Sequence, residues 1–284
     1  MKDTAVLLVQ CPTRSGLNAA IAEFLYRYDG NILHFEQHQA GESRYFLARV
    51  EWELAGFRLD MKDFDGAFGP IAHKLGMNWC IALGNYRPRV AIFVSKYDHC
   101  LVDLLYRQRI GELACDFPLV ISNHPDTRGH ADFYGVPFHV IAMTKDNKPH
   151  GEAQQLELLA ENKIDLVVLA RYMQVLSSDF ITRCPMPVIN IHHSFLPAFI
   201  GAKPYHQAYE RGVKLIGATA HYVTEILDDG PIIEQNIARI SHRDTIEDLV
   251  EKGRDLEKMV LSRAVRWHIE SRILLYNNKT IIFE

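Results

Sequence analysis

Val90-Ala91-Ile92-Phe93-Val94 is an unbroken apolar run, bounded by the polar stretch Asn85-Tyr86-Arg87-Pro88-Arg89 and by Ser95. Apolar residues without alternation specify a strand buried on both faces, the kind found in a parallel sheet covered by helices. The residues that follow keep this rhythm. A helical pattern over 99–111, with Asp98 as candidate cap, leads to strands at Pro118–Ser122 and Pro137–Ile141. A helix over Glu152–Glu161 leads to the strongest apolar strand, Ile164–Ala170, and Val188–His192 adds another. Buried strands separated by helices predict an α/β domain with a mostly parallel, Rossmann-like sheet. Further on, Leu215–Val223 and Ile232–Ile240 read as extended, 245–271 as a long helix and 279–283 as a last short strand.

Upstream of Val90 the pattern changes. Residues 5–10 read as a strand, and Leu17, Ile21, Phe24, Leu25 and Tyr28 recur at helical spacing. Residues 31–38 are extended, Ala40-Gly41-Glu42-Ser43 is a hairpin signal, and 45–52 alternates as a half-buried strand. Phe64, Phe68, Ile71 and Leu75 predict a second helix, which Pro70 interrupts, and Trp79–Leu83 closes with a strand. The order βαββαβ predicts a ferredoxin-like sandwich. With Asn85–Arg89 as linker, the expected domains are 1–84 and 85–284.

Composition narrows the function classes. Of 284 residues, 48% are hydrophobic and 23% charged, which excludes a disordered or fibrous chain. Lys plus Arg number 31 against 35 Asp plus Glu, a net charge of −4 that gives no attraction to nucleic acid or an anionic membrane. Cys11, Cys80, Cys100, Cys115 and Cys184 are odd in number and form no C-x-x-C pair, against a disulfide framework or a cysteine zinc site. Ala5–Val9 is too short for a signal-peptide core, and no stretch approaches the ~18 apolar residues of a membrane span. A soluble cytoplasmic protein is expected.

The richest segment chemically is Asn190-Ile191-His192-His193-Ser194-Phe195-Leu196-Pro197. Residues two apart on a strand share a face, so Asn190 and His192 project together. They do so where a strand ends, and open α/β sheets bind ligands beyond the carboxyl ends of their strands. Downstream, Leu227-Asp228-Asp229-Gly230-Pro231 is a turn with two carboxylates. An amide that donates to an oxyanion, an imidazole that relays a proton and a carboxylate that orients it suit acyl chemistry without a covalent nucleophile. Ser194 lacks the Gly-x-Ser-x-Gly elbow of a serine hydrolase. His192, His193, His206 and His221 are potential metal ligands by type, but neighbouring strand residues face opposite ways, and no metal is expected. The residues alone leave Asp228 and Asp229 open.

Asn190-x-His192, Ser194-Phe195-Leu196-Pro197 and Asp228-x-Gly230, in this order and spacing, resemble the formyltetrahydrofolate-using formyltransferase family over about residues 88–284. Residues 1–83 resemble an ACT domain, a module that often senses amino acids. The resemblance implies Asn190, His192 and Asp228 as catalytic residues, the acid lying two residues before the glycine. It implies a folate-binding loop at Ala170-Arg171-Tyr172-Met173-Gln174-Val175-Leu176-Ser177, with Met173, Gln174, Val175 and Leu176 against the pterin. Arg171 and Lys203 are the candidates for the folate glutamate tail or another anion. Transferases of this family that act on a ribonucleotide carry a glycine-rich turn after the first strand, whose amides hold the substrate phosphate. Here that place reads Ser95-Lys96-Tyr97-Asp98-His99, without glycine and with a carboxylate. Water is then the natural acceptor. The implied reaction is hydrolysis of 10-formyltetrahydrofolate to formate and tetrahydrofolate, feeding formate to purine synthesis, with folate as substrate and no permanently bound cofactor. Transfer to an unphosphorylated amine and a non-catalytic folate or amino-acid binder are the alternatives. Small amino-acid effectors at the ACT-like domain and a homo-oligomer are also implied.

Overall fold

The computed structural model describes residues 3–41, 45–198 and 204–283. The chain divides into two compact units, 1–86 with 270–284, and 87–269.

In the first unit, β1 (Thr4–Pro12), α1 (Leu17–Arg27), β2 (Ile32–Ala40), β3 (Tyr45–Glu53), α2 (Phe64–Leu75) and β4 (Asn78–Leu83) follow in βαββαβ order. The sheet order is β2-β3-β1-β4, antiparallel throughout. Ala5, Leu7 and Val9 face the helices and pack with Ile21, Phe24, Phe64 and Phe68. Pro70 stays inside α2. The residue before it is Gly69, which has no Cβ to clash with the proline ring and so keeps helical dihedrals open.

The second unit is built on β5 (Arg89–Val94), α3 (His99–Arg109), β6 (Asp116–Ser122), α4 (Arg128–Tyr134), β7 (Phe138–Val140), α5 (Lys148–Glu161), β8 (Leu166–Leu169), α6 (Ser178–Arg183) and β9 (Val188–His192). These are followed by α7 (Pro204–Arg211), β10 (Leu215–Tyr222), β11 (Ile232–Arg239) and α8 (Ile246–Ile269). The strands form one sheet in the order β11-β10-β9-β8-β5-β6-β7. β5 to β9 are parallel, while β10 and β11 are added antiparallel at one edge. The strand order reverses at β5, which has β6 on one side and β8 on the other. A cleft therefore opens beyond the carboxyl ends of β5 and β8, next to β9. None of the helices among the described residues is long and apolar enough to cross a membrane.

The chain ends with β12 (Ile273–Tyr276) and β13 (Lys279–Ile282), an antiparallel pair belonging to the first unit. The sequence reading carried the second domain through residue 284. The difference has a physical reason. Val6, Leu8 and Leu47 lie on the face of β1 and β3 turned away from the helices, and they pack with Leu274, Tyr276, Ile281 and Phe283. The same segment supplies the Ser271 carbonyl to Arg49 Nε at 3.1 Å, while Arg49 pairs with Glu51 at 2.9 Å, both buried. An apolar run such as Ala5–Val9 needs cover on both faces.

Candidate active site

β9 delivers Asn190 and His192 to the cleft, as the period of a strand requires. Asp228 arrives from the turn between β10 and β11, with its Oδ1 3.4 Å from His192 Nδ1. Both side chains are buried, each 8% exposed. The hydrogen bond from His192 holds the Asp228 carboxyl below its ordinary range, outweighing the upward push of burial. With Nδ1 turned to Asp228, His192 Nε2 is left buried without a partner among the described residues. Asp229 is exposed, so the two carboxylates are distinguished by burial and by reach.

The turn holding Asp228 is set by backbone. Asp228 lies at φ 56, in the left-handed region that Asp tolerates better than most residues. Tyr222 N donates to the Pro231 carbonyl at 2.9 Å, and a Cβ at position 230 would overlap the Tyr222 carbonyl oxygen. Gly230 is there because nothing larger fits.

From sequence, His221 stands out only as a potential metal ligand. It sits directly across from Asn190 in the β9–β10 register. Its Nδ1 donates to the Tyr222 carbonyl at 2.9 Å, which leaves Nε2 to accept from Asn190 Nδ2 at 3.2 Å. Burial lowers its pKa and keeps it neutral. One amide hydrogen of Asn190 is thus fixed, and the other is free to donate into the cleft. The same Nε2 lies 3.7 Å from Asp228 Oδ1. Cross-strand pairing, invisible before the strands are registered, brings it here.

The loop after β9 is pinned to β10 and β11. Thr219 Oγ1 accepts from Leu196 N at 3.1 Å and donates to the Ser194 carbonyl at 2.8 Å, and Gln235 Nε2 donates to the Leu196 carbonyl at 3.0 Å. The 171–177 loop is held as firmly. Ser95 Oγ accepts from Met173 N at 2.9 Å, Gln155 Nε2 donates to Tyr172 Oη at 2.8 Å, and the buried Glu152 carboxylate accepts from both Ser177 N and Ser177 Oγ.

Together these elements line a cavity of about 280 Å³. Asn190, His192 and Asp228 are in its wall, and so are Arg171, Met173, Gln174, Val175 and Leu176. Met173, Val175, Ile226 and Leu227 are exposed apolar residues around it, a surface suited to the faces of a flat ring. Arg171 turns its guanidinium inward, 8% exposed, to Glu257 of α8. Lys203 lies outside the described residues. His99, Cys100 and Glu257 place ligand atoms within 4.8 Å of one another. The Glu257 carboxylate, however, is already engaged by His99, Tyr205 and the fixed charge of Arg171. Glu257 was missed from sequence, although it falls on the apolar stripe of α8 beside Leu256 and is 1% exposed. A charge on such a stripe is the signal that finds it.

The doubly wound sheet, with an amide, an imidazole and a carboxylate beside an apolar cleft, agrees with the class that the family match gives, the formyl transferases. The family model described as formyl transferase matches residues 88–265. The chain is 54% identical over 280 residues to the Synechocystis sp. protein named formyltetrahydrofolate deformylase, covering 99% of this chain and 98% of that one. It is 47% identical to the Bacillus subtilis protein of the same name, over 99% and 94% of the two chains. The crystal structure of a formyltetrahydrofolate deformylase from Pseudomonas syringae pv. tomato superposes with a TM-score of 0.97 at 45% identity, covering 100% of this chain and 95% of that one. A glycinamide ribonucleotide transformylase from Symbiobacterium toebii matches 71% of this chain, and 96% of its own, with a TM-score of 0.66 at 30% identity. This chain belongs to the formyltetrahydrofolate deformylase family.

Proposed function

We propose that this protein hydrolyses 10-formyltetrahydrofolate to formate and tetrahydrofolate, acting as a hydrolase on a formamide-type C–N bond. The approach of Asn190, His192 and Asp228 within one cleft carries the reading. Water attacks the formyl carbon and its carbonyl oxygen becomes an oxyanion. The free amide hydrogen of Asn190 meets that oxygen, and one such donor is worth ~3 kcal/mol of barrier. Asp228, held ionised, accepts from His192 Nδ1 and stabilises the imidazolium formed when Nε2 takes a proton from the attacking water. The same proton then goes to the departing N10, and the C–N bond breaks. The pterin lies between the 173–176 loop and the 224–227 turn, its faces against Met173, Val175, Ile226 and Leu227.

The first unit, by its resemblance to an ACT domain, acts as a receptor for small amino acids, and a homo-oligomer is the form such modules favour. The protein works in the cytoplasm, supplying formate for purine synthesis, with folate as a consumed substrate and no resident cofactor. The test is formate release from 10-formyltetrahydrofolate alone, with and without added amino acids. Release without any amine supports hydrolysis, whereas a strict need for an amine would replace it with transfer.

A further inference from the structure

Arg171 occupies a backbone position that favours glycine, at φ 61 just after β8. Its guanidinium is nonetheless buried, 5.0 Å from the centre of the Tyr97 ring and 3.3 Å, at Nε, from Glu257 Oε2. Nη1 is buried without a hydrogen-bond acceptor among the described residues. The same Glu257 carboxylate binds His99 Nε2 at 2.8 Å and accepts from Tyr205 Oη at 2.5 Å. Gly253, one turn before Glu257, makes room for Tyr205, since a Cβ there would overlap its ring and hydroxyl. Four separate parts of the second unit therefore converge on one buried ionic cluster. Burying such a cluster costs more in desolvation than an apolar filling of equal volume, so it calls for a use other than stability.

Its position suggests that use. Arg171 and His193 line the same cavity as Asn190, His192 and Asp228. The His193 ring lies 5.5 Å from that of His192 and 5.9 Å from that of Tyr205. Tyr97 and His99, the first residue of α3, belong to the Ser95–His99 stretch after β5, the place where the resemblance to the transferases implies an acceptor phosphate. Here Tyr97 lies against the Arg171 guanidinium and His99 binds Glu257, so both side chains brace a residue that lines the cavity.

We propose that Arg171, braced by Tyr97, His99, Tyr205 and Glu257, closes the acceptor side of the site, so that water and not an amine receives the formyl group. The proposal rests on the hydrolysis reading above and adds what excludes the competing acceptor. With the space opened, a primary amine attacks the formyl carbon through its nitrogen lone pair. The new C–N bond forms, the bond to N10 breaks, the proton lost by the amine passes to N10, and the products are a formamide and tetrahydrofolate.

The test compares wild type with Arg171→Gly, which suits the left-handed backbone, and with Tyr97→Ala. Each is given 10-formyltetrahydrofolate with hydroxylamine or glycinamide, and the ratio of formylated amine to formate is read by mass spectrometry. That ratio does not depend on overall rate, and a merely structural role would not move it. Wild type is expected to yield formate with at most a trace of formylated amine, and the variants to raise the ratio by about tenfold or more. An unchanged ratio in the folded variants overturns the proposal, as does a wild type that itself formylates the amines. Loss of both reactions in Arg171→Gly also overturns it, because it would place Arg171 in the hydrolytic machinery. Absence of formate from wild type without amine would instead overturn the hydrolysis reading.

Discussion

Replacing Asp228 by Asn removes one charge and almost no volume. Asn tolerates the left-handed backbone at φ 56 as Asp does, so the turn is expected to keep its shape. The His192–Asp228 pair, 3.4 Å apart and buried on both sides, sets an imidazole against a charged group, and a hydrogen bond to such a group is worth ~1.5–3 kcal/mol. A carboxamide cannot stabilise the imidazolium in the same way. Its NH₂ end would also favour the tautomer with the proton on Nε2, leaving the relay atom unable to accept. The relay as a whole contributes ~100–10,000-fold, or about 3–5 kcal/mol of barrier. Asp228→Asn is therefore expected to lower kcat by ~100–10,000-fold. KM should change little, because the apolar contacts at Met173, Val175, Ile226 and Leu227 are untouched. Formate release at saturating 10-formyltetrahydrofolate measures kcat, and its substrate dependence gives KM. A kcat within about tenfold of wild type would refute the role given to Asp228.

Asn190→Ala is expected to cut kcat by ~100–1,000-fold; His221→Phe, which unfastens the amide without removing it, should follow in the same direction with a smaller loss, and an unaffected kcat there would dismiss His221 as a positioning residue. Stability should fall as pH drops below neutral. Burial, with the nearby Arg171 charge, puts His193 at about 3, and burial puts His268 at about 4, with His221 lowered by the same cause. The unfolded chain takes up protons near pH ~6.5 that the native chain refuses until these lower values, so each group contributes a slope of up to ~1.4 kcal/mol per pH unit in between. Urea midpoints equal at pH 7 and pH 5 would contradict this. Removing residues 270–284 uncovers Val6, Leu8 and Leu47 and takes away Leu274 and Phe283, each worth ~1.5–3 kcal/mol of burial. Hydrogen exchange in β1 and β3 should then speed markedly, and unchanged protection would show that the segment is not part of that core.

The sequence by itself determined the elements and their class. Val90–Val94 and Ile164–Ala170 are so uniformly apolar that strands covered on both faces were the natural outcome, and βαββαβ was legible upstream from spacing alone. Asn190 and His192 could be put on one face because a strand repeats every two residues. Tertiary structure decided what depends on distance in space. The continuous run Ala5–Val9 called for cover on a second face, but only packing shows that residues 270–284 supply it. Asp228 and Asp229 are chemically alike and adjacent, and the backbone of one turn decides which of them meets the imidazole. His221 reaches Asn190 through strand register, and Arg171 reaches Glu257 across 86 residues of chain because the packing of α8 buries the two side chains against each other. Periodicity is a local property and is written in neighbouring residues, whereas convergence of distant side chains is fixed only when the sheet closes and its helices pack.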